Sequence, residues 1–112
     1  MPDILPEFKV DLTRVKPGES ALPEGDDIYG RRTKLGGMPD WEQDDETPNC
    51  PDCGKRMIFV AQIDSIEHDD PQNPHAVDAL SPDQAWMFVD VGMIYVFYCS
   101  YCFESVSVVQ FG

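Results

Sequence analysis

The chain has four cysteines, and they come as two Cys-x-x-Cys pairs: Cys50 and Cys53 in CPDCG, and Cys99 and Cys102 in CSYC. Four thiolates brought to one point would satisfy a tetrahedral metal ion, with zinc–sulfur bonds of about 2.3 Å. Two residues between cysteines let one tight turn offer two sulfurs to one ion. In CPDCG, Pro51 fixes the turn after the first ligand, and Gly54 allows a left-handed backbone angle after the second. Backbone N–H groups are then free to hydrogen-bond the sulfurs, as a thiolate site requires. The doubled spacing is a strong metal signal. The expectation is one structural Zn2+ per chain, held by Cys50, Cys53, Cys99 and Cys102. Iron in a four-sulfur site uses the same spacing. Redox use of a Cys-x-x-Cys favours a helix N-terminus, where the thiol pKa falls, and neither pair opens an evident helix. Disulfides belong to oxidising compartments.

The elements that must position these thiols belong to a chain of 112 residues, the length of one domain. A core of that size is modest, and a metal staple would help it. The longest apolar run, Met93 to Cys99, is too short to cross a bilayer. MPDILPEFKV has no basic start followed by an apolar segment, so no signal peptide is read and a cytoplasmic location is expected. Twenty-one Asp and Glu against 8 Lys and Arg give a net charge of −13. That surface repels nucleic-acid phosphates and anionic lipid. A basic protein is its natural complement, although acidity also serves plain solubility.

Three strands are read from their residue types. Met57–Ile63 is almost wholly apolar, which suits a strand covered on both faces. Met93–Tyr98 is β-branched and aromatic, and Ser105–Phe111 is a last strand. The first cysteine pair precedes strand 57–63, and the second lies in the turn between strands 93–98 and 105–111. A further short strand is expected where Phe8, Val10 and Leu12 alternate with polar residues. Residues 31–49 read as loop, with Gly36-Gly37, Pro39 and Pro48. Trp41 should dock on the core and anchor that loop. Residues 64–80 form a polar excursion, Ser81-Pro82-Asp83-Gln84 reads as a helix start, and Val91-Gly92 as a turn. The fold class is therefore mainly β, a small antiparallel sheet with a metal site joining two turns at one end and little helix. The extended segment 1–30 precedes a metal-stabilised β domain over 31–112.

Other side chains carry weaker signals. His68 and His75 lie in a polar loop and read as solvated, with a second metal site as the alternative. Gln62 is the one amide inside an apolar strand, and a structural hydrogen bond is the expectation. Asp40, Glu42, Asp44, Asp45 and Glu46 form a negative patch just before the first cysteine. Trp86, Phe88, Tyr95, Phe97, Tyr98, Tyr101 and Phe103 read as core and metal-site packing, with part of the set free to form a docking face. No Gly-rich phosphate loop and no nucleophile–histidine motif is present, so an enzyme is not expected.

Taken in order, KLGGMPDW (Lys34–Trp41), CPDCG, MIFVAQID (Met57–Asp64) and GMIYVFYCSYC (Gly92–Cys102) resemble the YwqG-like family of mostly bacterial proteins. The same order is similar to the N-terminal part of eukaryotic programmed cell death protein 2. The resemblance covers about residues 31–112. It implies functional weight for Gly36, Gly37, Pro39, Trp41, the four cysteines and Gln62. Through the eukaryotic relatives it also implies chaperoning of a newly made basic ribosomal protein. The leading expectation is thus a non-enzymatic, zinc-stabilised interaction module. Its acidic loops 40–52 and 64–70, with Asp44 and Asp45, would bind a basic protein. A redox or electron-transfer protein using the same thiols is one alternative. A small antitoxin- or immunity-type binder is the other.

Overall fold

A computed structural model describes residues 7–25, 28–66, 87 and 92–111. Within them are four strands: β1 (Lys34–Leu35), β2 (Ile58–Asp64), β3 (Gly92–Tyr98) and β4 (Ser105–Phe111). They form one sheet in the order β1-β2-β3-β4, and every neighbouring pair is antiparallel. Among the described residues there is no helix, so none that is long and apolar enough to cross a membrane. The helix start expected at Ser81–Gln84, the loop histidines, Trp86, Phe88, the 67–70 part of the acidic loop 64–70 and the Val91 half of the Val91-Gly92 turn lie outside the described residues.

Alternation decides which face of the sheet is inside. Met93, Tyr95 and Phe97 on β3 are fully buried, and Val106 and Val108 on β4 pack beside them. The register places Tyr95 opposite Gln62 on one side and Val108 on the other. A bulge between Phe59 and Ala61 shifts the phase of β2. It lets Phe59, opposite Phe97, share the inner face with Gln62 and Asp64. Phe59 meets the Phe97 ring edge-on at 5.7 Å.

Two expectations are corrected here. Among the described residues the run 57–63 is covered on one face only: Ile58 and Ile63 are exposed, as are Tyr98, Val109 and Phe111. The apolar length of the run reflects strand-forming residue types, not a second covering layer. The segment 8–12 is not a strand, and Val10 and Leu12 are 73% and 72% exposed. Alternation alone gives no ladder where no strand edge pairs with it. Conversely, Lys34–Leu35 pairs with Gln62 and Ala61 inside a stretch read as loop.

The inner face is closed by the chain from Gly30 to Thr47. Trp41 lies 4.4 Å from the Tyr95 ring and stacks at 5.9 Å on Phe97. Aromatic pairs of this kind contribute about 0.5–1.5 kcal/mol each beyond area burial. Each long strand then sends a polar side chain to the backbone of residues 40–44 of this crossing loop. Gln62 on β2 accepts from Asp40 N–H at 2.9 Å and donates to Arg32 C=O at 2.7 Å. Tyr95 on β3 donates to Asp40 C=O at 2.8 Å and accepts from Glu42 N–H at 2.9 Å. Gln110 on β4 accepts from Gln43 N–H at 2.9 Å and donates to Asp44 C=O at 2.7 Å. Buried loop amides must find partners, and these three side chains supply them.

Burial pushes the Tyr95 phenol up to about 12 from 10.0, with the charges of Asp40 and Asp64 adding to the effect against the opposing pull of Arg32. The folded chain therefore holds the neutral phenol that the unfolded chain gives up near pH 10. Stability from this group is complete below pH 10 and is lost as pH rises toward 12. Urea melts at pH 9, 10 and 11 should show the fall. In Tyr95→Phe it should be smaller, on a lower baseline because Glu42 N–H loses its acceptor.

A buried ion cluster pins the other end of the loop. The Asp64 carboxylate accepts from Gly30 N–H (2.8 Å), Arg32 N–H (3.0 Å), Arg32 Nε (2.7 Å) and Arg32 Nη2 (3.0 Å). Arg32 also pairs with the Glu42 carboxylate, and its guanidinium lies over the Tyr29 ring at 4.8 Å. Both Asp64 and Arg32 are buried.

Candidate metal centre

Two hairpin turns of the same build meet at one end of the sheet. The first spans residues 50–55 and is closed by the Asn49–Arg56 bridge; the second spans 99–104 and is closed by the Tyr98–Ser105 pair. In the first, Cys50 N–H donates to Lys55 C=O (2.7 Å) and Gly54 N–H to Cys50 C=O (2.9 Å). In the second, Cys99 N–H donates to Glu104 C=O (2.8 Å) and Phe103 N–H to Cys99 C=O (2.8 Å). The fifth residue of each turn has a left-handed backbone: φ is 77° at Gly54 and 60° at Phe103. The turns are structural repeats, although CPDCGK and CSYCFE share only their cysteines.

All four sulfurs lie within 4.8 Å of one another, and Cys53 Sγ is 3.6 Å from Cys99 Sγ. Tetrahedral bonds of 2.3 Å would separate sulfurs by about 3.8 Å. All four are free thiols. The donors fit a four-coordinate metal ion, so the cluster can hold one. Cys50 and Cys99 are buried in the core cluster, Cys102 is half-buried and Cys53 is exposed. The expected set Cys50, Cys53, Cys99 and Cys102 is thus brought together as one group.

The surrounding amides favour thiolate. The Cys102 N–H, then that of Tyr101, donates to the Cys99 sulfur, and its thiol is lowered to about 7 despite burial. The Cys102 thiol is pushed up to about 12, first by its hydrogen bond with Cys53 and then by burial. Without a metal the group retains shared protons, which metal binding must release. The turns also touch through their outer side chains. Glu104 is pushed up by its hydrogen bond to Asp52 and by that residue's charge. Lys55 Nζ sits 3.6 Å from the centre of the Tyr101 ring.

The other sequence-predicted site residues have structural positions of their own. Gly36 and Gly37 both adopt φ 76°, and Gly36 N–H donates to Val60 C=O at 2.6 Å as the chain leaves β1. They line an open groove of about 1140 Å3 with Leu12, Met38 and Asp40. Trp41 and Gln62 hold the crossing loop. Asp45 accepts from Thr47 N–H and Oγ1 and pairs with Arg56 at 3.1 Å. The Thr47 hydroxyl, then the Thr47 amide, lowers its carboxyl below the usual range. Asp44 contributes its carbonyl to Gln110. Sequence reasoning missed Arg32, Asp64, Tyr95 Oη and Gln110 as the fasteners of the loop. Gln110 carried the same signal as Gln62, an amide in an apolar strand. Tyr101 and Phe103 are 69% and 86% exposed, so neither packs the metal centre.

Comparison with known proteins gives a relative of uncharacterised function. Over 94 residues the chain is 34% identical to the uncharacterised protein YpfL of Salmonella typhimurium. The match covers 81% of this chain and 18% of the relative, so the chain spans under a fifth of that protein's length. No protein-family model matches the chain, and no solved structure does.

Proposed function

We propose that the chain is a non-enzymatic interaction module, built on a structural zinc and binding a basic protein through its acidic surface. The convergence of four sulfurs within 4.8 Å at the junction of two turns carries the metal part of this reading. Zinc is the favoured ion because it takes four thiolates in tetrahedral geometry without redox chemistry. Four protein donors would leave it no open position, so its contribution is to the fold. A net charge of −13 supports a basic partner. The resemblance to the YwqG-like family and to programmed cell death protein 2 points the same way. The redox alternative is less well supported, since no described cysteine lies at a helix N-terminus.

Two measurements test the proposal together. Mass spectrometry on protein purified without added metal should find one colourless zinc per chain and no reactive thiols. Visible absorbance from iron, or four titratable thiols with no metal, would sink the zinc assignment. Capture of partners from a lysate should yield a basic protein that leaves the column as salt rises. A partner that resists strong salt would overturn the electrostatic reading.

A further inference from the structure

The second cysteine turn holds a large apolar side chain in solvent on a left-handed backbone. At the position where the first turn uses Gly54, the second holds Phe103 at φ 60°. A left-handed angle is unfavourable for a residue with a Cβ. Burial does not offset that cost, because Phe103 is 86% exposed. Phe103 is also the one non-glycine with positive φ among the described residues. Two positions away, Tyr101 is 69% exposed and already receives an ammonium group, that of Lys55, at 3.6 Å from its ring centre. The ring geometry is thus suited to a cation, and an internal lysine occupies it.

We infer that Tyr101 and Phe103 form the contact point for a lysine- or arginine-bearing segment of a protein partner. The partner's cation displaces Lys55 from the Tyr101 ring, and Phe103 covers the aliphatic stem beside it. The inference deepens the basic-partner reading above and rests on it. Charge selects the occupant: a chain of −13 repels a second copy of itself and attracts a cationic segment. Aromatic faces reward cations most where water is displaced, which a flanking phenylalanine would achieve.

The test uses the metal-loaded chain and a fluorescent oligolysine peptide at low salt. Tyr101→Leu and Phe103→Gly should each weaken binding roughly three- to tenfold. Metal content should be unchanged in both. Glycine suits φ 60° and should melt no lower than the parent, so misfolding cannot explain its loss. Lys55→Met should bind tighter than the charge-matched Lys16→Met by roughly threefold. Retained binding that both aromatic variants leave unaltered would overturn the inference and leave the basic-partner reading standing. No oligolysine binding by the parent chain would overturn both. If the parent sediments as a dimer and Phe103→Gly as a monomer, the occupant is a second copy and the inference fails.

Discussion

Cys99→Ser is expected to remove the metal and lower the thermal midpoint by about 15 °C or more, on the scale of 4–8 °C per kcal/mol for a small domain. Structural zinc sites contribute about 10–16 kcal/mol of binding energy that is also folding energy. In the proposed zinc site, Cys99 would carry that energy into the core. Its sulfur is buried beside Phe97 and Cys50, and its backbone ties β3 to the turn that begins β4. Serine would offer a hard oxygen where the site wants a soft thiolate, and would bury a hydroxyl in the cluster. Cys50→Ser should behave alike. Cys53→Ser, at an exposed position, should lose affinity yet keep more of the fold. Calorimetry with parallel metal analysis reads both effects. Full metal and an unchanged midpoint in Cys50→Ser and Cys99→Ser would refute the structural role.

The second large effect is expected far from the metal. Asp64→Ala should destabilise the chain by about 3–5 kcal/mol, because it leaves the buried Arg32 guanidinium without the carboxylate that accepts from two of its nitrogens. Glu42 remains a partner for Arg32, which sets the lower end of that range. The amides of Gly30 and Arg32 lose their acceptor in the same change. The double variant Arg32→Met/Asp64→Leu should recover part of the loss, since a buried ion pair replaced by apolar groups is often neutral. Recovery stays incomplete because those two amides remain unpaired. Urea unfolding measures the cycle. A loss under 1 kcal/mol in Asp64→Ala would show that the cluster contributes little.

These two sites differ in how visible they were beforehand. The cysteine pairs announce themselves by spacing, and β2, β3 and β4 by their residue types, each placed within about one residue of its observed bounds. Trp41 was legible because a large apolar side chain in an acidic stretch has few places to go. The Arg32–Asp64 pair was not legible. Its members stand far apart in sequence, and any of 21 acids could have answered any base. β1 escaped notice because two residues carry no period; the edge of β2 makes Lys34 and Leu35 a strand. The segment 8–12 misled for the mirror reason, having the period but no ladder to a neighbouring strand. The exposed Phe103 was misread as packing, since composition cannot tell an aromatic turned outward by its backbone from one turned inward.

The crossing loop has a consequence for how the chain is made. The fasteners of its 40–44 stretch come from Gln62, Tyr95 and Gln110, so those bonds are completed in the order in which the strands are synthesised. The last, to Gln43 and Asp44, waits for Gln110. During translation, Trp41 and its neighbours have emerged long before the surface that shelters them exists. Such late, long-range closure slows folding. A nascent chain must therefore pass through a stage in which Trp41 is solvated and the first cysteine turn waits for the second. The acids flanking that turn would keep the waiting segment soluble.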